Sequence, residues 1–156
     1  MRTIPIVFLV LLLASSATFA ADVDVLILDG EAKMQAGELD AAVAVLREAV
    51  ATDPGSALAR LRLGGALLMK QDYSGAIEQF RETVRLDPNS ANAFVGMSVA
   101  YLHSARYDLA RAALDEAIRI DPEKRKDAEP LLAYIDRAST RADPAPSELH
   151  PQRGDD

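Results

Sequence analysis

Asp53-Pro54, Asp87-Pro88 and Asp121-Pro122 stand thirty-four residues apart and set a frame that covers most of the chain. Between these dipeptides, small and large residues return in step. Ala42, Ala76 and Ala110 share one column, Leu46, Phe80 and Leu114 a second, and Ala49, Thr83 and Ala117 a third. Gly30, Gly64 and Ser98 form another, and Leu39, Tyr73 and Tyr107 follow it by nine residues. A fixed period of this length marks a stack of one supersecondary unit, in which each copy buries its apolar face against its neighbours. Function must then be something that a repeated surface can perform.

Each period reads as two helices. Ala57 to Lys70 is apolar on more than one face, as a helix packed between neighbours should be. Gln71-Asp72-Tyr73 supplies a turn, and Ser74 to Leu86 carries Ala76, Ile77, Phe80 and Val84 on one stripe. Proline has no amide donor and drives the preceding residue out of helical geometry, so each Asp-Pro ends a helix. Ser56 and Ser90 then stand where a hydroxyl can cap the next one. Alanine in the recurring small columns lets paired helices approach closely.

Composition closes off several kinds of chemistry. The 156 residues contain no cysteine, which excludes disulfides, thiol catalysis and thiolate metal sites together. The two histidines, His103 and His150, are far apart and leave a histidine-based metal site without partners. Gly64-Gly65 lies within a helix and lacks the lysine and hydroxyl of a phosphate loop. A net charge of -7 argues against a broad grip on nucleic acid. No metal or cofactor is expected, and no residues support an enzyme. Arg153-Gly154-Asp155 spells an adhesion tripeptide, which in such a tail reads as coincidence.

Residues 1–20 read as an export signal. Arg2 supplies a positive start, Ile4 to Ala14 an apolar core, and Thr18-Phe19-Ala20 small residues one and three places before a cut. Ser15-Ser16-Ala17 is a second possible site, and retention as an uncleaved anchor is the alternative. No lipid-bearing cysteine and no basic stop-transfer cluster follow, so no membrane span is expected after cleavage. The expected location is the periplasm of a bacterium.

The columns described above resemble the tetratricopeptide repeat family. Leu63-Gly64, Leu67, Tyr73, Ala76, Phe80 and Asp87-Pro88 stand where that family's pattern expects them, with a close second match at Phe94, Met97, Tyr101, Tyr107, Ala110, Leu114, Ala117 and Pro122. The resemblance implies an all-α, right-handed α-solenoid. Repeats are expected over residues 21–56, 57–90 and 91–124, with a capping helix at 125–139 and a disordered tail at 140–156. Asp127 is expected to cap that last helix, with Pro130 in its first turn and Leu131, Leu132, Tyr134 and Ile135 on its apolar face. The first copy carries Asp29 and Lys33 at normally apolar columns. They are one turn apart and able to pair, as a solvent-facing terminal copy would tolerate.

In the resembling family the first helix of each pair lines a concave surface. Carried over by column, that surface holds Asp24, Ile27, Glu31, Met34 and Gln35, then Leu58, Leu61, Gly65, Leu68 and Met69, then Asn92, Val95, Val99, Leu102 and His103. It is a largely apolar strip with polar ends, and the internal packing columns are already filled by other residues. Surplus apolar surface of this kind usually marks a contact site, and methionine suits one that accepts varied side chains. Ile27, Glu31 and Gly96 occupy columns where chaperone-tail receptors carry cations or asparagine, which argues against a carboxylate clamp. The expected function is a cell-envelope adaptor or scaffold that holds a helix or extended segment of another protein. The alternative is a homo-oligomer that buries the groove or an array end against a second copy.

Overall fold

A computed structural model describes residues 22–142. The expected export signal and residues 143–156 of the expected tail lie outside the described residues. Seven α-helices follow in order: α1 (22–35), α2 (Leu39–Thr52), α3 (Ala57–Met69), α4 (Tyr73–Leu86), α5 (Ala91–His103), α6 (Tyr107–Ile120) and α7 (Arg125–Ala142). A single 3-10 turn, Pro122–Lys124, precedes α7, and the described residues contain no strand. From α2 onward each helix packs on the next in the chain, and α3 also meets α5. The architecture is an all-α solenoid of helix-turn-helix units.

Both turn types repeat at the level of single hydrogen bonds. After each second helix the aspartate turns to extended backbone, at φ/ψ of -131/92°, -133/92° and -130/93° for Asp53, Asp87 and Asp121. Each aspartate amide still donates to a helix carbonyl, while its carboxylate accepts from the amide two residues on. Within each pair the chain reverses through a left-handed residue: Gly37 (φ 77°), Gln71 (φ 64°) and Ala105 (φ 55°). The next amide reaches back to the carbonyl five residues earlier (Glu38 to Lys33, Asp72 to Leu67, Arg106 to Tyr101), which closes a Schellman motif each time.

The core follows the columns. Ala42, Ala76 and Ala110 have no exposed surface, and Leu46, Phe80 and Leu114 are buried beside them. Gly64 shows why one column must be small: a Cβ there would lie 2.7 Å from the Phe80 ring. Ser98 fills the same column in the third pair, fully buried, with its hydroxyl donating to the Val95 carbonyl at 2.8 Å.

Four local expectations need correction. Ser56 caps α3 by accepting from the Ala59 amide, but Ser90 makes no side-chain cap bond to α5. Asp127 is not the cap before α7. Asp121 performs that task for the 3-10 turn by accepting from the Glu123 amide at 3.2 Å, and Arg125 is already helical. Pro130 is therefore the sixth residue of α7, beyond the first turn, and denies the Lys126 carbonyl its usual donor. The helix also continues to Ala142 rather than ending near Ser139.

Candidate functional site

The first helices α1, α3 and α5 carry the strip expected to face a partner. Leu58 and Met69 are its most open apolar members, at 44% and 52% exposed. Asn92 and His103 are exposed as well, while Glu31 and Val99 are half-buried. Met34, Leu61, Leu68, Val95 and Leu102 are half-buried, with one side against the core and the other facing out. Ile27 must be withdrawn from the strip. It is 4% exposed and packs with Val23, Ala49 and Ala59, so it belongs to the joint that fixes α1 on α2 and α3. An isoleucine in that column finds a neighbour that its counterparts Leu61 and Val95 only partly meet.

Two of the hollows that border the strip bear on what it could hold. One, of about 410 Å³, is bounded by Glu31, Met34 and Gln35 of α1 and by Arg62 and Met69 of α3. Glu31 and Arg62 form an ion pair across it, so its charges cancel. Both methionines present soft, adaptable side chains to the space. The other, of about 170 Å³, lies where Asn92 and Val95 of α5 face Lys124, Asp127, Ala128 and Leu131 near the start of α7, with Leu114 behind them. His103 stacks flat on Tyr73, with ring centres 5.0 Å apart and planes 1° from parallel, which fixes the rim at the other end of α5.

The sequence frame missed what α7 adds. Ala93 and Ala100 are buried along α5, and their counterparts on α7 are Ala128 and Ile135, thirty-five residues later rather than thirty-four. The 3-10 turn shifts the register by one residue. Leu131 and Leu132 are half-buried beside that seam, whereas Tyr134, expected on the apolar packing face, is 52% exposed. In the shifted register Tyr134 follows Glu31, Gly65 and Val99 along the concave column, so α7 acts as a fourth first helix. The absence of a serine before α7, where Ser56 and Ser90 precede α3 and α5, was the available signal.

Among the described residues no group of His, Asp and Glu side chains is placed to hold a metal ion, and no helix is long and apolar enough to cross a membrane.

Two family models described as tetratricopeptide repeat match the sequence, at residues 28–91 and 67–135. No match is found among curated proteins. Among solved structures, the first such domain of human RPAP3 superposes with a TM-score of 0.73 at 17% identity, covering 77% of this chain and 94% of that one. The first such domain of Spaghetti (RPAP3), solved with the HSP90 peptide SRMEEVD, gives the same TM-score, identity and coverage. YrrB, described as having an unusual peptide-binding site, matches at 27% identity and a TM-score of 0.62, over 65% of this chain and 52% of that one.

Proposed function

This chain belongs to the tetratricopeptide repeat family, and we propose that it is an exported adaptor of the bacterial cell envelope. In this reading it holds a helix or extended segment of another protein along the concave strip and performs no chemistry of its own. One observation carries the proposal: Leu58 and Met69 stay open beside half-buried Leu61, Leu68 and Leu102, although the packing columns are full without them. Apolar surface left over after the core is complete is what a partner segment would cover. Peptide-bound structures of the same fold support that use of the surface, although only Arg62 and Asn92 here are of the type a carboxylate clamp needs. Periplasmic location rests on residues 1–20 alone.

Selection from a displayed library of random twelve-residue peptides tests the reading. Leu58→Asp and Met69→Asp should fold normally, because both side chains are open, and should weaken the selected peptides at least about tenfold, or about 1.4 kcal/mol. Glu78→Lys, exposed on α4, is the control and should leave binding unchanged. Undiminished binding by both strip variants would remove the concave surface from the mechanism.

Self-association is a second reading, favoured by a different face. Val25 and Leu28 of α1 are 65% and 64% exposed, on the side where an earlier repeat would stack. Sedimentation that stays independent of concentration would exclude it.

A further inference from the structure

We propose that the hollow between α1 and α3 is a receptor for one aromatic side chain of the partner segment, with the bare backbone of Gly65 beside it on the same face of α3; this rests on the groove reading above. The starting observation is a glycine that the fold does not need. Gly30, Gly64 and Gly96 each lie where a Cβ would come within 2.4–2.7 Å of Leu46 or Phe80, so packing demands them. A Cβ on Gly65 would meet nothing within 4 Å. Glycine in a helix interior is costly relative to alanine, and no internal contact offsets that cost here. Close approach by another molecule is the use that remains for a missing side chain.

The surroundings define the visitor. On α3, Arg62 and Met69 stand one turn to either side of Gly65, and both border the hollow of about 410 Å³. That size falls within the range of about 300–1,000 Å³ usual for pockets that take small ligands. Met34 faces Met69 from α1, and thioether sulfur packs well against aromatic rings. The Arg62 guanidinium can lie along a ring face while Glu31 holds it in place. Since that pair is neutral as a unit, the hollow favours an uncharged occupant over an acid or a base. Charges elsewhere along the array add a preference of another kind. Lys124 and Lys70 are paired with Asp121 and Asp40, whereas Asp24, Asp87 and Asp127 have no cation within bridging distance among the described residues. Together with a net charge of -7, this favours basic residues beside the aromatic one.

The chain's methionines supply the test. Met34 and Met69 border the hollow, and buried Met97 is an internal control. With ¹³C-labelled methionine methyls, N-acetyl-tryptophanamide is titrated against the protein, with N-acetyl-alaninamide and N-acetyl-lysinamide as comparisons. The expected result is saturable movement of the Met34 and Met69 signals with a dissociation constant on the order of 1 mM, and a still Met97. Gly65→Leu should abolish the movement with the helical spectrum intact. Gly65→Ala should weaken it while raising the melting temperature on the order of 4 °C, which also serves if the leucine variant fails to fold. No movement at Met34 and Met69, or equal movement in Gly65→Ala, would overturn the aromatic receptor. Peptides that still depend on Leu58 and Met69 but ignore Gly65 would leave the groove standing and remove only this proposal.

Discussion

The two ends of the stack meet the same difficulty in different ways. A repeat's outer face is built to be covered, and among the described residues no further repeat covers it at either end. At the C-terminal end, α7 covers α6 and contributes Ala128 and Ile135 to the continuous core, at 5% and 1% exposed. Arg111 of α6 is also tied to Asp136 of α7, and the bond holds its guanidinium above its ordinary pKa. At the N-terminal end nothing among the described residues covers α1. Its outer side shows Val25, Leu28 and Ala32, interrupted by Asp29, which pairs with Lys33 at 3.4 Å. One end is sealed by packing and the other by a charge in an apolar column. The first device adds stability; the second mainly discourages unwanted stacking.

Removing the packed seal should give the largest effect. A chain ending at Pro122 loses one fully buried isoleucine and two half-buried leucines from the core. It also bares the side of α6 that holds Leu114 and Ile118. At about 1.5–3 kcal/mol for each large side chain, the loss is on the order of 5 kcal/mol, enough to aggregate a small array. A chain ending at Ala142 should melt with the parent. Equal melting of both truncations would show that α7 is not a seal.

How much could be read in advance differs along the same axis. Where the thirty-four-residue frame holds, the columns translated directly into burial, because Ala76 and Phe80 meet the same neighbours as Ala110 and Leu114. Even the charged pair Asp29 and Lys33 was legible as a terminal feature. Reading failed where an element lacked its usual neighbour or its usual spacing. Ile27 was placed by column although burial depends on what faces it, and at the end of an array that differs. Past Pro122 a one-residue shift turned Tyr134 outward, and the only local sign of it was the missing serine before α7. Gly65 was placed by column on the concave face, but without any reason for a glycine there. That a Cβ there would meet nothing, and that a hollow lies beside it, depends on how α1 sits against α3, and no local pattern carries such information.

Adjacent residues at the unsealed end sharpen the contrast. Ile27 is 4% exposed and Leu28 64%, so the same substitution should behave oppositely at the two positions. Ile27→Asp places a charge between α1, α2 and α3 and should cost about 3 kcal/mol or more, releasing α1 from the stack. Leu28→Asp should change stability by no more than about 0.5 kcal/mol. Urea unfolding of the two variants checks this. If Leu28→Asp proves as damaging as Ile27→Asp, the outer face of α1 is covered and the two ends are alike.

The smallest effect concerns how the first pair of helices is held to the second. Glu31 of α1 pairs with Arg62 and Asp40 of α2 with Lys70, so two ion pairs join this end to α3. Between α4 and α5 no ion pair is found among the described residues: Phe80 is seated against Gly96, and the Arg81 guanidinium donates one hydrogen bond to the Tyr101 hydroxyl at 3.0 Å. The Lys70 ammonium, by hydrogen bond and then by charge, holds the Asp40 carboxyl below its ordinary value. A carboxyl with a lowered folded-state pKa stabilises fully above its unfolded value. The benefit fades as pH drops below that value and is gone once pH passes the folded one. The pair is open to water, so its contribution is slight and screened by salt. Lys70→Met should therefore lower stability a little at pH 7 and low salt. The difference should shrink as pH falls toward the lowered Asp40 value, and again in 1 M salt. The Met34 methyl signal should report that loosening while Met97, on α5, stays unchanged. A variant whose deficit persists at low pH and high salt would show that the Lys70 stem, not its charge, holds the first pair in place, and the two joints would then rest on the same kind of packing.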